Sequence, residues 1–222
     1  MMIRTLNNLS RIILLTVFIL PFLVISFTNN TTAKPGKECE SPFSSIIVDN
    51  IWVNGCEYEV EICFMCAYIH PFGAIQVLAF TKKDPECPYG ADDTYIANEI
   101  DKIVTSYSFI KTFICVNNEI APCENQQNII EYTVIKNLCW VKQKFMGNIW
   151  FKVCPENDNT CDEVWRYCWD ATANPPQAIK ILQSYSGSVG KCPTGPVKDP
   201  ENEFEETECF TIPNSTLCNP SE

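Results

Sequence analysis

The chain reads as a mainly β protein with one or two helices, built from disulfide-rich antiparallel sheet. Three observations carry this. Acidic and apolar residues alternate with period two in "CEYEVEI", Cys56 to Ile62. Two apolar-aromatic runs, "LCWVKQKF" and "IWFKVC", flank a turn-forming Met146-Gly147-Asn148. All 14 cysteines lie beyond the first 33 residues.

The N-terminus comes first. Arg4 and Arg11 precede an apolar run from Ile12 to Phe27, and Thr31-Thr32-Ala33 follows. A basic start, an apolar middle and small residues at the end are the layout of an export signal. Residues 1–33 are therefore expected to be a cleaved signal peptide. An uncleaved anchor fits less well, because a helix of this length spans roughly 24 Å against a bilayer core of about 30 Å. Pro21 weakens it further. No later stretch is apolar enough to insert in a membrane after cleavage.

The chain carries 16 basic and 27 acidic residues. Removing 1–33 takes away two arginines and no acid, so the mature charge is −13. Such a surface excludes nucleic acid, whose phosphates need clustered Lys and Arg. An even cysteine count in an exported chain reads as a disulfide framework of up to seven bridges. The candidates are Cys39, Cys56, Cys63, Cys66, Cys87, Cys115, Cys123, Cys139, Cys154, Cys161, Cys168, Cys192, Cys209 and Cys218. Each bridge contributes roughly 2–4 kcal/mol by restricting the unfolded chain.

Residues 34–45 are a polar lead-in. The strand over Cys56–Ile62 turns Tyr58, Val60 and Ile62 inward and Glu57, Glu59 and Glu61 outward. His70-Pro71-Phe72-Gly73 makes a turn, and "AIQVLAF" returns as a second strand. A helix follows: Asp92 or Asp93 caps it, and Ile96, Ile100, Ile103, Val104 and Tyr107 share one face. "YSFIKTFICV", residues 107–116, reads as a strand, as does "EVWRYCWD" further on. In the second hairpin both Gly147 and Asn148 tolerate positive φ. Tyr58, Val60, Gly73, Ile75 and Cys87 recur as Tyr132, Val134, Gly147, Ile149 and Cys161 at an offset of 74, which raises a duplicated hairpin unit with halves meeting near 124. The disulfide-stapled domain is placed at 34–197. Residues 198–222 are read as an acidic, solvated linker ("KDPENEFEETE") and a terminal cysteine loop.

Cys63-Phe-Met-Cys66 tests the framework reading. Haem attachment needs His after the second Cys, and Ala67 stands there. A redox pair needs a helix N-terminus, and this pair follows a strand. A zinc site wants a second ligand pair, and His70 is the one histidine. Along a strand three residues span about 10 Å, beyond the roughly 4.4–6.8 Å that a disulfide bridges. So Cys63 and Cys66 are expected to take separate partners.

Other constellations are thinner. Trp165, Tyr167 and Trp169 of "WRYCW" share one strand face. That face packs as core, or serves as a ligand platform if it is exposed. "CPENDNTCDE", Cys154 to Glu163, gathers Glu156, Asp158, Asp162 and Glu163, but its spacing misses an EF-hand and it reads as a solvated loop. No catalytic, cofactor or metal residues are assigned: there is no G-x-S-x-G and no H-E-x-x-H. "DEVWRYCWD" with the terminal "ECF…LCNP" resembles a group of uncharacterised cysteine-rich proteins exported by bacteria, over about a third of the chain. The resemblance implies architecture and export, and supplies no site residues.

The functional expectation is a secreted or periplasmic, non-enzymatic protein acting by surface contact, as a cell-surface, matrix or filament component. Its partners are a protein or glycan surface, or a second copy of itself. A carbohydrate-binding module using Trp165, Tyr167 and Trp169 is the alternative, and a small hydrolase with paired carboxylates comes third. The oxidised mature chain should carry no free thiol. Thiol labelling under denaturing, non-reducing conditions checks this, and two or more reactive cysteines per chain count against the framework.

Overall fold

The computed structural model describes residues 39–67, 72–87, 92–125, 130–155, 160–187, 192–195 and 197–212. Among the described residues nine strands form one mixed sheet, joined by two helical segments.

Strands β1 (Ser44–Val53), β2 (Cys56–Met65) and β3 (Phe72–Lys82) make an antiparallel meander. Asn54 and Gly55 turn β1 into β2 with φ of 48° and 79°, the positive pair that a tight hairpin requires. β2 follows its expected alternation: Tyr58, Val60 and Ile62 are buried and the glutamates between them are half-buried. β3 is buried on both faces over most of its length, so it reads as a continuous apolar run.

Helix α1 (Asp93–Val104) follows, capped by Asp92, whose carboxylate accepts from the Tyr95 amide at 2.7 Å. It buries Ile96, Ala97, Ile100 and Val104. The next segment corrects the sequence reading. Residues 107–116 form a short helix α2 (Tyr107–Phe109) that runs into a π-turn (Ile110–Ile114). Ser106 caps it by accepting from the Phe109 amide. The residues are strand formers, but Phe109, Ile110 and Ile114 are buried while Phe113 and Val116 are exposed. That is a helical spacing, and burial outweighs intrinsic preference.

β4 (Ile130–Asn137) lies parallel to β3. This pair departs from the all-antiparallel expectation, because the helical segment supplies the crossover that parallel strands need. β5 (Cys139–Phe145) and β6 (Asn148–Val153) form the second hairpin. Phe145 faces Asn148, so the turn is Met146-Gly147, with φ of 52° and 78°. β7 (Thr160–Asp170) and β8 (Gln177–Gly187) extend the sheet beyond β4, and β9 (Phe210–Thr211) edges β5. Strands β1, β4, β8 and β9 lie outside the segments expected from the sequence.

β3 shares one edge between two partners. Residues 72–76 pair with β4, and residues 79–81 pair with β6. Asn137 closes the gap: its side chain donates to the Val77 carbonyl at 2.8 Å and accepts from Gln76 Nε2 at 2.8 Å. Nearby, Gly73 leaves room for Tyr132; a Cβ there would sit 2.4 Å from the Tyr132 ring and 2.7 Å from the Met65 carbonyl oxygen. Gly147, its counterpart at the 74-residue offset, sits in the Met146-Gly147 turn, where an added Cβ would meet nothing within 4 Å.

Cys63 and Cys66 have separate partners, as expected: Cys39–Cys63 and Cys66–Cys115. The other bridges among the described residues are Cys56–Cys87, Cys123–Cys168, Cys139–Cys192 and Cys154–Cys209. Cys161 is also disulfide-bonded. Cys218 lies outside the described residues. Cys139 and Cys154 stand opposite each other across the hairpin, with the Cys154 amide on the Cys139 carbonyl at 3.1 Å, yet each bonds elsewhere.

The acidic segment is not a free linker. Lys142, buried on β5, pairs with Asp93 at 2.8 Å and Asp199 at 2.9 Å. Burial works against its charge, but the two carboxylates hold its pKa above the ordinary lysine value. Phe204 packs edge-on to Phe145, and the Thr207 amide donates to the Lys142 carbonyl. The acids stay largely in water while the backbone docks, which composition alone does not reveal. Asn137→Ala should lower unfolding free energy by about 1–3 kcal/mol, because the Val77 carbonyl is left buried without that donor. Urea unfolding with disulfides intact measures it, and a change under about 0.5 kcal/mol would count against the fork being sealed by this side chain.

Candidate functional site

α1 carries a second stripe beside its apolar one. Asn98, Asp101, Lys102 and Thr105 recur at helical spacing and line a cleft of about 360 Å³. The opposite wall comes from sheet alternation: Glu163, Trp165 and Tyr167 from β7, Lys136 from β4, and Ala178, Ile179 and Lys180 from β8. β7 pairs with β4 on one side and β8 on the other, which brings these three strands to one end of the helix.

Glu163 is 1% exposed. One oxygen meets Lys136 Nζ at 3.0 Å, and the other accepts from Trp165 Nε1 at 2.9 Å. A buried charge needs such partners. Tyr167, 2% exposed, donates from its hydroxyl to the Thr105 carbonyl at 2.6 Å. That satisfies a carbonyl at the C-terminal end of α1. Burial pushes the Tyr167 pKa well up, and neighbouring Tyr132 adds to it.

Lys180 projects from β8 into the cleft. Its ammonium donates to Thr105 Oγ1 at 3.0 Å and lies 4.1 Å from the centre of the Trp165 ring. Among the described residues no carboxylate comes within ion-pair distance of it. Desolvation, then the charge of Lys136, lowers its pKa to about 8 against the pull of Glu163 and Asp101. Asp101 is its counterpart. Desolvation raises its carboxyl to about 6, Lys136 and Lys180 pull the other way, and Glu163 adds to the rise.

The structure splits the three-ring face. Tyr167 is interior and stacks T-shaped on Tyr132 at 5.8 Å. Trp165 is half-buried, with Lys180 over its ring. Trp169 is 40% exposed, at the rim beyond the helix cover, beside Tyr107, Lys111 and Ile120. Asp162 and Glu163 belong to β7 and not to a solvated loop. Glu156, Asn157, Asp158, Asn159 and His70 lie outside the described residues. Sequence reasoning missed Asp101, Lys136 and Lys180. The one available signal was a lone lysine in the otherwise uncharged "QAIKILQSYSG".

Comparison with family models, curated proteins and solved structures finds no match.

The raised Asp101 pKa has a pH signature. Unfolded, this carboxyl ionises near 3.8; folded, near 6. Between the two the folded state holds more protons, so its stability falls as pH rises through that window. Denaturant midpoints from pH 4 to pH 7 should show this fall in the parent and a smaller one in Asp101→Asn. Parallel profiles would count against the shift.

Proposed function

We propose that the chain is an exported, disulfide-braced protein that works by contact, and that the outer edge of β8 is the contact. Multiple bridges and β-rich architecture support a compartment outside the cytoplasm. Among the described residues no helix is long and apolar enough to cross a membrane.

The observation that carries the reading is β8 itself. It runs 11 residues, pairs with β7 alone among the described residues, and is exposed over most of its length. Ile181 is 39% exposed and Tyr185 54%. An open edge of this length is a template for strand addition. Its single charge, Lys180, is turned into the cleft.

The partner proposed is a second copy. An antiparallel edge is self-complementary about a two-fold axis. β8 carries no acid, so two mature chains of net charge −13 meet there with least repulsion. The rival readings fare worse. A hydrolytic carboxylate must reach its substrate, and Glu163 is sealed by Lys136 and Trp165. A sugar platform needs open ring faces, and Lys180 lies over Trp165 while Tyr167 is interior.

Sedimentation velocity of the mature chain at micromolar concentrations tests the proposal. The parent should show a reversible dimer, weakened about tenfold or more by Ile181→Lys, which sets like charges across the paired edges. A parent that stays monomeric to about 100 μM, or a dimer indifferent to the lysine, sinks this contact.

A further inference from the structure

We propose that Lys180 is a reactive amine that captures a small, uncharged aldehyde or ketone as an imine within the α1–β8 cleft. Asp101 supplies the proton that dehydrates the intermediate. This stands apart from the edge contact and does not depend on it.

Lysine ammonium groups are normally solvated or ion-paired. Lys180 is unpaired and only half-exposed: it sits among Thr105, Trp165 and the strands, hydrogen-bonded once, with no carboxylate in ion-pair range among the described residues. A second cation, Lys136, lines the same cleft and is held by Glu163. Desolvation and a neighbouring cation both favour the neutral amine, and the neutral amine is the nucleophile. Every charged or titratable group around it belongs to this balance: Asp101 and Lys102 on α1, Tyr107 on α2, Lys136 on β4, Glu163 and Tyr167 on β7. The shift of Lys180 to about 8 agrees with that placement.

The step balances without an oxidant. The amine lone pair forms a C–N bond to the carbonyl carbon, and the carbonyl electron pair moves to oxygen, which takes a proton as nitrogen releases one. The resulting carbinolamine loses its hydroxyl as water once Asp101 protonates it. Nitrogen then forms the C=N bond, and the iminium proton returns to the Asp101 carboxylate. Amine and carbonyl compound give imine and water. A carboxyl held near pH 6 retains enough of its acid form at neutral pH to serve.

The ligand class follows from the walls. A cleft of about 360 Å³ is at the low end for small-molecule sites. Lys136 is paired with Glu163 and Lys102 with Glu99, while Asp101 and the C-terminal end of α1 oppose an anion. A keto acid is disfavoured and a neutral carbonyl compound is not.

The test incubates the folded, oxidised mature chain with glyceraldehyde and cyanoborohydride from pH 6 to pH 9, then maps adducts by mass spectrometry. At pH 7.5 a lysine titrating near 8 is about a hundredfold more often neutral than one near 10.4. Allowing for restricted access, Lys180 should react about tenfold or more faster than the exposed Lys111 and Lys198, with a pH midpoint near 8. Lys180→Arg keeps the charge and should abolish the fast adduct while leaving the melting curve in place. Lys180 labelling no faster than Lys111 overturns the proposal. Asp101→Asn separates the proton donor from a structural role. It should slow glyceraldehyde capture about tenfold or more but not slow acetylation of Lys180 by acetic anhydride, since acylation needs no dehydration and loss of the Asp101 charge favours the neutral amine. Equal slowing of both reactions overturns the role given to Asp101.

Discussion

The shared edge of β3 is the constraint on which the rest depends. A strand has two edges, and β3 serves three partners: β2 along one edge, β4 and then β6 along the other. The sheet therefore forks. One arm runs β4–β7–β8 and the other β6–β5–β9. Between the arms the β3 backbone around Val77 would have no ladder partner, and a buried carbonyl without one is costly. Asn137, the last residue of β4, supplies the missing donor, and Gln76 fixes its orientation. Trp140, at the start of β5 in the other arm, donates back to the Asn137 carbonyl at 3.0 Å. One side chain thus joins both arms to the central strand.

The bridges serve another purpose than joining strands. Each of the six defined among the described residues has at least one end in an irregular segment. Cys66–Cys115 ties the end of β2 to the end of the π-turn, and Cys123–Cys168 holds the segment before β4 against β7. Cys139–Cys192 and Cys154–Cys209 bind the C-terminal stretch to the second hairpin. Loops bury little apolar surface, so ordering them needs another source of stability, and covalent closure provides it. Lys142 adds an ionic counterpart by joining α1, β5 and the acidic segment at one buried nitrogen.

The cleft at the C-terminal end of α1 depends on the same fork. β4, β7 and β8 form the arm that meets the helix, and each contributes one charged residue: Lys136, Glu163 and Lys180. Two of these neutralise each other at 3.0 Å. The third faces Asp101 across a partly desolvated space, and the pKa values of both shift toward the neutral form. That is the expected response of charges taken from water without full pairing. The Tyr167 bond to the Thr105 carbonyl holds the helix end against β7, so the cleft has a fixed floor.

By itself the sequence determined the β-rich class, a helix cap at Asp92 or Asp93, the alternation of β2 and the second hairpin. It also determined that Cys63 and Cys66 take separate partners. All of these are local: period, turn chemistry and strand geometry act within a few residues. The tertiary structure decided the rest. Residues 107–116 have strand propensity, and only burial of Phe109, Ile110 and Ile114 makes them helical. β8 shows no apolar periodicity because it lies at an edge and is largely exposed. Cys139 and Cys154 are hairpin neighbours, yet their partners arrive from the distant C-terminal stretch. The cleft was the least legible part. Asp101, Lys136, Glu163 and Lys180 are scattered singly along the chain, and no spacing rule links them. They meet because β4, β7 and β8 lie side by side beneath one helix end, and strand order is a property of the folded sheet that no single segment encodes.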